Sequence, residues 1–192
     1  MFIFIELRKK YHKFILLLTY TIFMKHFKFT TLILISVLVF SCQPAVESAS
    51  EIDLTTYKLN LATAQKFLAA FSSEDIESQK PLICPGITHY SPFYGSEPSK
   101  MDGFLAASKA WMDNFDEITY SDAKWFPGTD QSGKPDGSVM TMGKWTSTNT
   151  ATGNVININA FHTFIFNAKN QIHEARDYFD ATGVMAAAMK VD

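Results

Sequence analysis

Near Asp116 the apolar residues of this chain change their spacing, and that change limits the folds open to it. Before that point they recur at three- and four-residue steps, the signature of helices with one buried stripe. Leu54, Leu61, Ala64, Phe67, Leu68 and Phe71 make such a stripe and predict a helix over 55–71, with Asp53 or Thr55 able to cap its start. A second short helix is expected over 73–82, opened by Ser73 and broken by Pro81 and Pro85-Gly86. A short first strand fits 87–90. The segment 91–100, with Pro92, Gly95 and Pro98, reads as loop. Helical spacing then returns over 100–114 through Phe104, Leu105, Ala107, Ser108 and Trp111. Beyond Asp116 the period is two. Strands are predicted over 118–126, 138–146, 155–166 and 172–179, joined by turns over 129–137, 148–153 and 167–171. A short apolar helix or tail closes the chain over 181–189. Helices first and an antiparallel meander afterwards is an α+β order, with the helices packed on one face of a curved sheet.

The first 41 residues are of a different kind. They carry six basic side chains against one acid, a balance of +5, while the remainder holds 11 Lys and Arg against 18 Asp and Glu, a balance of −7. An acidic domain repels nucleic acid, so no nucleic-acid partner is expected. The leader's two apolar runs, 14–24 and 32–40, each fall short of the roughly 20 residues that cross a bilayer as a helix. The second fits a signal peptide, with Lys25 and Lys28 as its basic flank and 31–40 as its apolar core. Met24 begins a complete signal by itself, so residues 1–23 read as an upstream extension.

The run Val39-Phe40-Ser41-Cys42 resembles the lipobox of bacterial lipoproteins, although Phe40 is bulkier than is usual there. That resemblance implies diacylglycerol on Cys42, cleavage before it, and stable anchoring by two or more acyl chains. An uncleaved signal anchor is the alternative. Residues 42–53 then form a polar tether and 54–192 the domain. Gln43 is not the aspartate that marks inner-membrane retention in enteric bacteria, so the resemblance points to an envelope protein on the outer membrane rather than the inner. With Cys42 lipidated, Cys84 is the one thiol left, and it reads as a small buried hydrophobe.

Gly143-x-Trp145, Gly153 and the run Arg176-Asp177-Tyr178-Phe179-Asp180, following those helices and strands in that order, resemble the nuclear transport factor 2-like superfamily. The SnoaL-like polyketide cyclases and limonene-epoxide hydrolases are the branch most similar over 54–185. The resemblance implies a cone-shaped curved antiparallel sheet packed against N-terminal helices, also called cystatin-like. It further implies a pocket between sheet and helices, and a homodimer through the sheet's outer face. In the epoxide-hydrolase branch an acid matches Asp177, while an Arg and a second Asp fall on Gly143 and Trp145 here. Gly has no side chain and Trp offers only an N–H donor, so that triad is broken.

Strand alternation puts His173, Ala175, Asp177 and Phe179 on one face, with Ile172, Glu174, Arg176, Tyr178 and Asp180 on the other. On the preceding strand Ile156, Ile158, Ala160, His162, Phe164 and Phe166 share a face, and the hairpin brings His162 opposite Asp177 or one pair away. A His beside an Asp in an apolar pocket is a usable acid–base pair for taking a proton next to a carbonyl. The alternative is a hydrogen-bonded core His and an Asp bound to a neighbouring backbone group or Tyr hydroxyl. His89, Tyr90, Trp145, Ile158, Phe164 and Phe179 are the candidate ligand-binding residues, and Glu174 with Arg176 an outer ion pair. His89, His162 and His173 lack the spacing of a metal site, and no glycine-rich phosphate loop follows a strand. Neither metal nor cofactor is expected.

Three functions fit these residues. One is a binding module for a small apolar or amphipathic molecule. Another is a cyclase- or isomerase-type enzyme using Asp177 and His162. The third is a non-catalytic dimerisation or assembly module. Fold alone does not choose among them.

Overall fold

A computed structural model describes residues 53–191. The leader, Cys42 and the tether to Ile52 lie outside the described residues.

The first helix, α1 (Thr55–Ser72), follows the expected stripe: Tyr57, Ala64, Phe67 and Leu68 are buried, while Leu61 and Phe71 pack at its margin. Asp53 accepts the Thr55 N–H at 2.9 Å. The second helix is shorter than its expected range and starts later. Asp75, not Ser73, caps α2 (Ile76–Gln79) by accepting the Ser78 N–H, and Pro81 turns the chain into a 3-10 segment over Lys80–Leu82. Among the described residues no helix is long and apolar enough to cross a membrane.

Strand β1 (Ile83–Tyr90) is twice its expected length and includes Pro85-Gly86. The register shifts between Ile83 and Thr88, so the proline needs no ladder N–H, and β1 lies at the sheet's edge where proline is tolerated. Helix α3 (Met101–Asn114) then runs into the meander β2 (Phe115–Thr129), β3 (Pro135–Asn149), β4 (Val155–Phe166) and β5 (Ile172–Tyr178). A last helix, α4 (Ala181–Ala188), starts at Asp180, whose carboxylate accepts the Gly183 N–H at 2.9 Å.

The five strands form one open sheet in the order β1-β5-β4-β3-β2, antiparallel except that β1 runs parallel to β5. That parallel pair matters most for the site, because it brings a residue from before α3 beside the chain's last strand. One face of the sheet carries Val139, Trp145, Ile156, Ile158, Phe164 and Ala175 into a core shared with Phe67, Leu68 and Phe104 of the helices. Asn60, buried in α1, pins the helix to the sheet. Its amide donates to the Gly137 carbonyl at 2.7 Å and accepts from Asn170 of the β4–β5 hairpin at 2.8 Å. Gly137 has φ +85°, and a Cβ there would also strike Thr56.

Alternation along β5 is broken near its start. Ile165 stands opposite Glu174 but Phe166 opposite Ile172, so His173 is an extra residue in a bulge. Ile172 is therefore buried in the core and His173 turns outward, the reverse of strict alternation. His173 Nδ1 instead lies 3.4 Å from Sγ of Cys84, which is buried as expected.

Candidate functional site

Between the sheet and helices α1 and α3 lies a cavity of about 140 Å³. Phe67, Phe71, Phe104 and Trp111 line it from the helices, and Trp145, Ile158, Phe164 and Phe179 from the sheet side. Rings interlock around the space. Phe67 stacks on Phe104 with centroids 5.7 Å apart and meets Phe164 edge-on at 6.0 Å, while Phe71 meets Trp145 edge-on at 5.2 Å. The loop after β1 adds Ser91, Pro92 and Phe93.

One corner of this apolar space is polar, and its centre is Asp177. The register of the β4–β5 pair sets Asp177 directly opposite His162, and the carboxylate Oδ1 lies 2.6 Å from His162 Nδ1. The parallel β1–β5 pair sets His89 opposite Ala175, two residues back on the same face, and His89 Nε2 lies 2.8 Å from Oδ2. Both imidazoles are nearly enclosed, at 5% and 6% side-chain exposure, while the carboxylate keeps 22%. Desolvation pushes the Asp177 carboxyl up, but hydrogen bonds from His162 and His89 outweigh it, holding the group below the ordinary carboxylate range. Asp177 is an anion at neutral pH.

Trp145 decides the state of His162. Its indole N–H, which can only donate, points at His162 Nε2 at 2.9 Å. Nε2 therefore presents its lone pair, the ring proton sits on Nδ1, and that proton is given to Asp177. Neither nitrogen of His162 is left for a substrate, so this residue positions the carboxylate. His89 is held as firmly. Its backbone exchanges hydrogen bonds with Ser99 at 2.9 Å in both directions, its Nδ1 faces Ser99 Oγ at 3.3 Å, and its ring stacks on Phe104 at 4.3 Å.

The residues expected from the sequence divide clearly. His89, Trp145, Ile158, His162, Phe164, Asp177 and Phe179 all border the cavity. Tyr90 does not. It lies opposite Arg176 on the other face, where the guanidinium sits 4.1 Å above its ring. The physical reason is alternation along β1, which allows only one of His89 and Tyr90 to face inward. Not foreseen were Phe67, Phe71 and Phe104 as cavity wall, or the His89–Asp177 contact, which joins residues 88 apart through a pairing with no local signal. Gly143, one of the two positions that break the epoxide-hydrolase triad, has its own reason to be glycine. The Tyr120 ring lies across it, so that a Cβ would fall 2.3 Å from the ring, and the phenol hydroxyl bonds Thr141 Oγ1 at 3.0 Å. No group of three His, Cys, Asp or Glu among the described residues is placed to hold a metal ion.

No family model matches the chain, and no curated protein matches it. Solved structures do. A candidate isomerase from Bacillus subtilis superposes with a TM-score of 0.59 at 15% identity, over 69% of this chain and 94% of its own. A candidate polyketide cyclase from Xanthomonas campestris pv. campestris gives 0.56 at 11% identity, over 70% and 99%. An NTF2-like protein from Burkholderia xenovorans LB400 gives 0.53 at 16%, over 68% and 96%. The fold is that of the nuclear transport factor 2-like proteins. At these identities the likeness concerns architecture: N-terminal helices and a curved, unclosed sheet. In this domain the polar corner of the cavity is formed by His89, Asp177, His162 and Trp145.

Proposed function

We propose that this chain is a lipid-anchored envelope protein whose nuclear transport factor 2-like domain binds a small, largely apolar molecule bearing one polar end. The observation that carries the reading is an aromatic cavity of about 140 Å³ with a fixed carboxylate in its wall. That volume is close to the roughly 150 Å³ cavity known to hold benzene and below the roughly 300–1,000 Å³ of drug-sized sites. The guest is a single-ring molecule or the head of a longer one.

Trp111 and Trp145 line the cavity, so titrating the full-length chain with small aromatic compounds is expected to change tryptophan emission and raise the melting temperature. Ala107→Phe, which fills the space, is expected to abolish both. Absence of any response across such compounds would overturn the reading. The anchor has its own test: labelled palmitate is incorporated by the wild type and not by Cys42→Ser.

A second reading, an acid–base enzyme of cyclase or isomerase type, is favoured by one observation: a carboxylate bridged by two histidines in an apolar space. Asp177 would take the proton as a C–H bond next to a carbonyl breaks, the electron pair passing to the carbonyl oxygen as an enolate. Epoxide hydrolysis is not supported, because an ionised Asp177 has no proton to give. Wild-type protein that exchanges a ketone's α-hydrogen for deuterium, with loss in Asp177→Asn, would favour the enzyme.

A homodimer through the sheet's outer face is proposed from the row Met142, Phe161 and Tyr178, paired across β3, β4 and β5, with Met142 52% and Tyr178 49% exposed. Sedimentation of wild type against Met142→Lys tests it.

A further inference from the structure

The polar corner has acceptor capacity to spare and no donor. An ionised carboxylate offers about four lone-pair sites and can only accept. At Asp177 two of these are taken, one on each oxygen, by N–H groups of His162 and His89. The other nitrogens around it are also engaged: His162 Nε2 by the Trp145 indole, and His89 Nδ1 by Ser99. A guest oxygen that needs an N–H finds none free in this corner. What the corner lacks is a donor to fill the remaining carboxylate lone pairs.

The surroundings favour a charged donor over a neutral one. The cavity lining contains no Lys or Arg to neutralise Asp177. Arg176, next in sequence, faces the opposite side of the sheet and is committed to Glu174 at 2.7 Å. Aromatic rings supply most of the remaining wall, and their faces attract cations, most strongly where water is excluded. The other donors on the lining, the hydroxyls of Ser91 and Ser108 and the Trp111 indole, belong to the loop and α3 rather than to this corner.

We infer that the cavity selects a small amine, its ammonium group on Asp177 and its apolar body among Phe67, Phe71, Phe104, Trp111 and Phe179. The inference rests on the binding reading above and names its ligand class. A charge-assisted bond to a carboxylate fixed by two histidines discriminates strongly, because the site needs no reorganisation when the ammonium arrives.

Four probes of one shape separate the possibilities: benzylamine, benzyl alcohol, toluene and benzoate, each titrated at pH 7 into the full-length chain by calorimetry. The expected order is benzylamine first, tighter than toluene by about tenfold or more, benzyl alcohol between them, and benzoate without measurable binding. In Asp177→Asn, with melting used to verify that the variant is folded, benzylamine is expected to fall to the affinity of toluene. The wild-type series decides the matter even if that variant does not fold. Toluene and benzyl alcohol binding as well as benzylamine would overturn the amine inference and leave the binding site intact. Benzoate binding as tightly as benzylamine would overturn it too. If none of the four binds at millimolar concentration, the cavity is not a ligand site and both readings fall together.

Discussion

Asp177 and Arg176 are neighbours in β5 that meet two different sides of one sheet. On the inner side Asp177 is bracketed by two almost fully enclosed imidazoles, one of them fixed in turn by an indole. On the outer side Arg176 reaches Glu174 two residues back on its own strand, with 40% and 22% of the two side chains exposed, and lies over Tyr90. Both are short, well-formed polar contacts. Their surroundings differ. In the low-dielectric interior a lost partner leaves a donor that water cannot reach, whereas an exposed ion is rehydrated at once. Distance alone therefore says little about which contact holds the structure and which the fold could lose.

The widest expected gap between the faces is apolar. Phe164 points inward at 1% exposure and Ile165, the next residue, points outward at 44%. Phe164→Ala should cost about 3–5 kcal/mol, since it removes a ring from a packed core and enlarges an existing cavity. Ile165→Ala should cost less than about 1 kcal/mol in the monomer. Urea denaturation of both variants checks the pair. Equal losses would mean that the outer face is covered as completely as the inner one.

Asp177→Ala comes next, at about 2–4 kcal/mol, because it strands the N–H groups of His89 and His162 in nearly enclosed positions. Asp177→Asn should cost less, since its amide oxygen still accepts one of them. If Asp177→Ala is as stable as wild type, water satisfies the histidines, and the corner is looser than its geometry suggests.

The acid limb gives a smaller and more specific signal. Asp177 is held below the ordinary carboxylate range, so its contribution is complete above the unfolded carboxyl value of about 4 and is lost as pH falls through the lower folded value. The stability difference between wild type and Asp177→Asn should thus shrink as pH falls below about 4. Asp53, Asp75 and Asp130 are also lowered, by local hydrogen bonds, but they are present in both proteins and drop out of the difference. A difference that grew as pH fell below about 4 would reverse the sign and remove the ionised-carboxylate assignment.

How much of this was legible beforehand follows from the range of each contact. The switch from helical to strand spacing near Asp116 is local, and it places α3 against β2 with an error of a few residues. The His162–Asp177 pair is also semi-local: a short hairpin joins the two strands, so counting outward from Asn167 and Gln171 brings His162 to within one pair of Asp177, and the bulge at His173 completes the match. His89 is another matter. Its place beside Asp177 depends on β1 adding in parallel to the far side of β5, and nothing near residue 89 states which strand will be its neighbour. Tyr90 faces the other side because alternation along β1 lets only one of the two neighbours turn inward, and nothing local says which. The outward turn of His173 needed a bulge, and a bulge has no marker in a stretch where every residue could sit in a regular strand.

The smallest expected effect belongs to the outer pair, and it sharpens the comparison most directly. Glu174→Ala and Arg176→Ala should each cost under about 1 kcal/mol, and their double-mutant coupling should be about 0.2–1 kcal/mol and fall with added salt. Arg176→Ala should be the costlier of the two, because it also removes the guanidinium from the Tyr90 ring. Tyr90→Leu tests that excess by erasing it. A coupling energy that matched the loss at Asp177 would mean that the outer face is desolvated, as it would be beneath a second copy of the chain. Repeating the cycle at dilutions that separate such copies would then return the pair to the value of an exposed contact.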